Sequence, residues 1–108
     1  MKDMMNMLRQ AQEMQQKMQE AQARLEAMEL TGRAGGDAVS VTMNGKGSVK
    51  RVHIAPDATA DVAALEDLLT AAFNNARVQA ESAAADAMKD AMGPLGGLGG
   101  GLGELLGR

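Results

Sequence analysis

The sequence contains no cysteine and only one aromatic residue, Phe73, among 108 residues. The absence of cysteine excludes a disulfide framework, a thiolate metal site and a thiol nucleophile. A single aromatic ring is too few for a platform on which nucleic-acid bases stack. No segment approaches the roughly 20 apolar residues that cross a bilayer, and the N-terminal residues include Gln, Glu and Lys where a secretory signal needs an apolar stretch. We therefore expect one small cytoplasmic domain with no membrane partner.

Residues able to support catalysis are scarce. The only histidine, His53, belongs to a predicted strand that contains no carboxylate. Asp61, Glu66 and Asp67 occupy the start of a predicted helix, where acids complement the helix dipole. Residues 45–48, GKGS, slightly resemble a phosphate-binding loop, but they lead into a strand and not a helix. The inventory predicts no enzyme activity, no metal, no cofactor and no small-molecule substrate.

The first thirty residues carry an apolar seam with alternating intervals of three and four. Its members are Met4, Met7, Ala11, Met14, Met18, Ala21, Leu25 and Met28. This heptad spacing is typical of a helix that keeps one narrow stripe against a long partner. A helix over residues 3–28 would be about 39 Å long, whereas a compact chain of this size has a radius of gyration of about 13 Å. The seam therefore predicts half of an interface.

The middle of the chain changes from helical to alternating periodicity. Apolar and polar residues alternate over 38–44 and again over 49–55, and a further strand is expected at about 28–33. Asn44-Gly45 favours a hairpin between the first two of these segments. Pro56 should end the sheet because proline cannot donate to the strand ladder. These features predict a small antiparallel sheet with one apolar face.

A second long helix is predicted from an N-cap at Asp61 to about Met92. Its first half is bulky enough to cover the apolar face of the sheet, and its second half offers mostly alanine methyl groups. Residues 93–108 are half glycine, so we expect a flexible tail after a single domain over 1–92. The predicted fold class is α+β: a long N-terminal helix, a small three-stranded antiparallel sheet and a long C-terminal helix.

Charge is distributed unevenly along the chain. The formal net charge is −3 and the pI is about 5.0, which argues mildly against nucleic acid as a partner. Residues 32–56, however, carry a net charge of +3. The cations of the first helix have a simpler interpretation as a solvated face, with Glu13–Lys17 and Glu20–Arg24 as i,i+4 pairs. The basic part of the sequence is therefore its middle.

Three stretches together resemble the YbaB/EbfC family of bacterial nucleoid-associated DNA-binding proteins. They are MLRQAQEMQQKMQEAQARLEAMELTG at 7–32, VSVTMNGKGSVKRVHIAPD at 39–57 and LEDLLTAAFNNA at 65–76. The resemblance covers about residues 7–92. It implies a cytoplasmic, nucleoid-associated homodimer without a cofactor, in which two sheets share a core and paired helical arms project in a tweezer-like arrangement. It also implies binding to DNA with modest sequence preference.

The resemblance and the basic segment together suggest candidate residues for two surfaces. Candidates for DNA binding are Arg9, Lys17, Arg24, Arg33, Lys46, Lys50 and Arg51. Candidates for the dimer interface are Met14, Met18, Leu25, Leu65, Leu69 and Phe73. The expected function is largely non-specific binding of duplex DNA through phosphates, in nucleoid organisation or gene regulation. The alternative is a helix-hairpin-helix scaffold or chaperone-like clamp whose flexible methionines grip another protein.

Overall fold

A computed structural model describes residues 2–92 of the chain. The first helix, α1, spans Lys2–Ala27 and is followed by three strands; the second helix, α2, spans Val62–Met92. The strands are β1 (Leu30–Ala34), β2 (Val39–Met43) and β3 (Val49–Ile54). The predicted α+β class and the order of elements are confirmed, with helix bounds within two residues of those expected. The predicted flexible tail at 93–108 lies outside the described residues.

The chain divides into two compact units. The described part of the first unit consists of residues 2–23 of α1 and 85–92 of α2. In this unit Ala21, Ala87 and Ala91 are buried, whereas Met4 and Met7 are 70% and 68% exposed. The predicted seam of α1 is therefore covered towards its C-terminal end and open at its N-terminal end.

The second unit, Arg24–Ala84, contains the sheet. Its strands are antiparallel in the order β1-β2-β3, so β2 is central. Val39 and Val41 of β2 have no exposed surface. They form the core together with the following residues: Met43, Ala72, Ala76 and Ala80. Burial of branched and small apolar side chains between a sheet and a helix is the main stabilising contribution in a domain of this size.

Gly32 explains how α2 approaches the sheet so closely. A Cβ atom at this position would overlap the carbonyl oxygen of Ala72 and the backbone nitrogen of Ala76. Gly32 lies within β1, inside the strand expected at about 28–33. The positive φ angles of the turn before β2 belong to Gly35 and Gly36, at 63° and 68°. Gly32 is therefore required by packing, whereas Gly35 and Gly36 allow the backbone conformation of the turn.

The sheet ends before Pro56, as expected because proline has no backbone N–H to donate to a neighbouring strand. Residues Pro56–Ala60 form a short 3₁₀ helix that the sequence did not predict. Asp61 then caps α2, because the backbone N–H of Ala64 donates to Asp61 Oδ1 over 3.2 Å. This contact confirms the predicted N-cap.

Candidate nucleic-acid interface

The turn between β2 and β3 is organised by one side chain. Asn44 Oδ1 accepts hydrogen bonds from the backbone N–H groups of Lys46, at 2.9 Å, and Ser48, at 3.0 Å. The backbone N–H of Asn44 also donates a hydrogen bond to the carbonyl oxygen of Ser48 over 2.9 Å. Gly47 takes the positive φ of 89° that closes the turn. The hairpin predicted from Asn44-Gly45 is confirmed, and its turn is held by an asparagine side chain in addition to backbone hydrogen bonds.

The same turn is docked on the end of α1. The Gly45 N–H donates to the carbonyl oxygen of Leu25 over 2.8 Å. This contact satisfies one of the carbonyl groups that a helix leaves without an internal partner at its C-terminus. A Cβ at Gly45 would lie 2.6 Å from Leu25 Cδ2 and 3.2 Å from Leu25 Cα. Docking therefore requires glycine at position 45. The docked turn in turn fixes the location of the next residue, Lys46.

Two glutamates at the end of α1 face the basic residues of the hairpin. Lys46 Nζ lies 2.8 Å from Glu26 Oε1. Arg51 lies 3.4 Å from the Glu29 carboxylate, and Lys50 Nζ lies 3.9 Å from it. Hydrogen bonding and charge attraction from Lys46 lower the pKa of Glu26, and those from Arg51, with attraction from Lys50, lower the pKa of Glu29. Three of the predicted DNA-binding residues thus form one cluster, which we call the basic hairpin cluster: Lys46, Lys50 and Arg51.

A β-bulge explains how both Lys50 and Arg51 reach one carboxylate. Thr42 pairs with Arg51 and Met43 pairs with Val49, so Lys50 is an extra residue with no partner on β2. In a regular strand, neighbouring side chains point to opposite faces, and only one of these two could meet Glu29. The bulge breaks this alternation, so that the side chains of Lys50 and Arg51 both lie near Glu29. Alternation in the sequence did not reveal this irregularity.

Arg33 lies on the polar face of the sheet in a different cross-strand row. Arg33 pairs with Ser40, which pairs with His53, across β1, β2 and β3. Arg33 and His53 are both exposed. Within residues 2–92, neither side chain has a hydrogen bond or an ion pair. Arg33 is therefore an accessible cation two cross-strand rows away from Arg51.

The cations of α1 are distributed over both units. Arg9 and Lys17 are exposed residues of the first unit, and Arg24 is exposed in the last turn of α1, in the second unit. Cations near a helix C-terminus complement the dipole, which gives Arg24 a role within the helix. Across the described part of the chain, Lys17 forms no ion pair with Glu13. The suggested i,i+4 pair is therefore not formed.

The residues predicted to form the dimer interface differ in how exposed they are. Leu25 is 5% exposed and contacts Gly45 of its own chain. Leu65 and Leu69 are partly buried against the core of their own chain, whereas Phe73 is 37% exposed. Met14 and Met18 are half-buried. Phe73 is therefore the candidate on α2 with the most surface available to a partner.

Sequence reasoning missed Glu26 and Glu29 as members of the site. A usable signal was present for Glu26, because an acid in the last turn of a helix opposes the dipole unless a cation is nearby. Glu29 follows the helix and carried no such signal. Within residues 2–92, no group of three or more His, Asp or Glu side chains is arranged to hold a metal ion. Neither of the helices described combines the length and apolar character of a membrane span.

Two long helices, a three-stranded antiparallel sheet and an exposed basic hairpin define a small α+β protein with a surface suited to anions. The model of the YbaB/EbfC DNA-binding family matches residues 1–95. The chain belongs to this family.

Similar proteins are named as nucleoid-associated proteins. One from Granulibacter bethesdensis is 46% identical over 88 residues, covering 80% of this chain and 82% of that protein. One from Polynucleobacter necessarius is 48% identical over 79 residues, covering 73% and 74%. Another from Maricaulis maris is 48% identical over 91 residues, covering 80% and 82%. The similarity to each extends over most of both chains.

A solved structure shares the fold. The crystal structure of an uncharacterized protein from Helicobacter pylori matches with a TM-score of 0.69 at 22% identity. The match covers 74% of this chain and 86% of that one. At this level of identity the likeness concerns the fold alone.

Proposed function

We propose that this protein is a homodimeric nucleoid-associated protein that binds duplex DNA, largely without sequence preference, through contacts to phosphates. The observation that carries the proposal is the exposure of all four cations of the net-positive segment 32–56, which lie on the sheet and its docked hairpin. Family membership supplies DNA as the class of partner. Its place of action would be the nucleoid, with residues 1–92 acting as the DNA-binding domain.

Phosphate contact is the mode of binding that the residue types favour. Lysine and arginine neutralise phosphates and release condensed counterions, which gives affinity without reading sequence. Direct readout of bases requires Arg, Asn or Gln side chains on an element that enters the major groove. Asn44, the only amide side chain of residues 39–54, already accepts two backbone hydrogen bonds within the turn, so the basic hairpin cluster offers mainly charge. We infer that the basic hairpin cluster and Arg33 contact the DNA backbone. Further candidates are Arg9, Lys17 and Arg24 of α1.

A second copy of the chain is proposed because large apolar side chains stay exposed in both units. Met4 and Met7 are open in the first unit, and Val49, Val52 and Phe73 are open in the second. β3 is also an edge strand of the sheet. Open edges and apolar patches favour association. A homodimer would cover such surfaces and would present two basic hairpin clusters, one from each chain, to one duplex.

Neutralising Lys50 and Arg51 together tests the assignment of the hairpin. K50Q/R51Q removes two cations without placing new acids beside Glu29, and it should weaken binding to a random-sequence duplex by about tenfold or more at low salt. The control R77Q/K89Q removes two cations from α2 and should change the affinity by less than about twofold. Fluorescence anisotropy of a labelled duplex measures both. Equal losses in the two variants would contradict a role for the hairpin.

A further inference from the structure

Glu26 and Glu29 are arranged to compete with an anionic ligand for the basic hairpin cluster. Lys46 is 2.8 Å from Glu26, and Glu29 is within 3.9 Å of Lys50 and within 3.4 Å of Arg51. A phosphate would approach the same ammonium and guanidinium groups with the same charge and with similar oxygen acceptors. The three cations and two acids leave the cluster with a net charge of +1 instead of +3.

The two acids are not needed to place the hairpin. The Gly45 N–H on the carbonyl oxygen of Leu25 docks the turn on α1, and the two amides bound by Asn44 fix the shape of the turn. The carboxylates are themselves exposed, with side-chain exposures of 61% for Glu26 and 51% for Glu29. Exposed ion pairs contribute little to stability. Glu26 also lies in the last turn of α1, where a negative charge is unfavourable for the helix dipole, and Glu29 follows two residues after the helix ends.

We infer that Glu26 and Glu29 act as a built-in competitor that limits the affinity of the basic hairpin cluster for nucleic-acid phosphates, an inference that rests on the proposed function. Binding requires each cation to exchange a carboxylate of its own chain for a phosphate. The remaining acids then repel the DNA backbone. These two residues, and not a shortage of cations, keep the affinity for DNA low. The protein can therefore dissociate from DNA readily and exchange between sites.

The test compares two charge-matched double variants by anisotropy with a labelled random-sequence duplex over a range of salt concentrations. E26Q/E29Q removes the competing charges and keeps side chains of the same length. It should raise the affinity about tenfold at low salt and make the slope of log K against log salt steeper by roughly 1 to 2. E66Q/E81Q removes two acids from α2, where Glu81 pairs with Arg77 at 2.6 Å. It should change the affinity by less than about twofold.

A double-mutant cycle locates the effect. E29Q should strengthen binding in the wild-type background and have no effect in the K50Q/R51Q background, because its competitor role depends on those two cations. An equal gain in both backgrounds, or an equal gain from E66Q/E81Q, would show an effect of net charge alone and would overturn the inference. Weaker binding by E26Q/E29Q with an unchanged urea midpoint would overturn it as well.

Failure of the inference differs from failure of the proposed function. If wild-type protein binds duplex DNA, K50Q/R51Q loses that binding and E26Q/E29Q leaves it unchanged, only the competitor role is wrong. If neither the wild type nor E26Q/E29Q binds duplex DNA at low salt, both are wrong.

Discussion

Gly45 donates its backbone N–H to the carbonyl oxygen of Leu25 over 2.8 Å, which ties the turn of the hairpin to the last turn of α1. Leu25 is buried, so the anchor point is rigidly packed. Lys46 follows directly and meets Glu26 of the same helical turn. A backbone contact between distant parts of the sequence therefore determines which acids face the basic residues.

Replacement of Gly45 by alanine should undo this docking. The new Cβ would lie 3.2 Å from Leu25 Cα, a backbone atom that cannot rotate away. We expect G45A to lower the free energy of unfolding by about 1–3 kcal/mol, as is typical of overpacking. Urea unfolding at a fixed protein concentration measures this change. The control is G47N, because Gly47 is in open space with a φ of 89° and Asn tolerates positive φ. Equal stability of G45A and wild type would show that the docking contact is dispensable.

A similar substitution at Gly32 should affect the core directly. A Cβ in G32A would overlap backbone atoms of Ala72 and Ala76, so α2 would have to shift away from the sheet. We expect a loss of about 3 kcal/mol or more, at the upper end of overpacking effects. Thermal unfolding followed by circular dichroism measures it. G36N is a suitable control, since Gly36 has a positive φ and no neighbour within 4 Å. A G32A protein as stable as G36N would contradict the packing described for α2.

The ion pairs of Glu26 and Glu29 should have a definite pH signature. Both carboxyls have pKa values below the ordinary 4.5 in the folded state, because Lys46 and Arg51 favour their charged forms. Their stabilising contribution is therefore present above 4.5 and is lost as the pH falls through the lowered folded-state values. Carboxyl ¹³C NMR titration should give midpoints below 4.5 for both groups. In K50Q/R51Q, the midpoint of Glu29 alone should rise. An unchanged Glu29 midpoint would contradict its pairing with those cations.

The sequence was sufficient to predict the two helices and three strands, but not the short 3₁₀ helix or the contacts between elements. Heptad spacing located α1, alternation located the strands and Asp61 marked the start of α2, because these signals are local. The roles of Gly32 and Glu29 depend on residues far away in the sequence, so no local pattern contains them. The bulge at Lys50 is a further example: it is defined by the register against Thr42 and Met43, which one strand alone cannot reveal.

The proposed dimer can be tested at the half-buried part of the α1 seam. M14K/M18K would bury two ammonium groups in the contact between copies and should weaken dimerisation by at least about tenfold, since burial of unpaired charge costs several kcal/mol. Sedimentation velocity across a concentration series measures assembly, and circular dichroism checks that the helices persist. Q15K/Q19K adds the same charge at exposed positions of the same helix and should leave assembly unchanged. A folded M14K/M18K protein that still dimerises normally would exclude these methionines from the interface.

The most direct measurement of the central claim is the salt dependence of wild-type binding to random-sequence duplex DNA. If a dimer engages about four to six phosphates, log K should fall linearly with log salt with a slope of roughly −3.6 to −5.4. K50Q/R51Q should give a distinctly shallower slope, because those cations are the ones that release counterions. A slope near zero, or a slope that K50Q/R51Q leaves unchanged, would contradict DNA binding through the phosphates at the basic hairpin cluster.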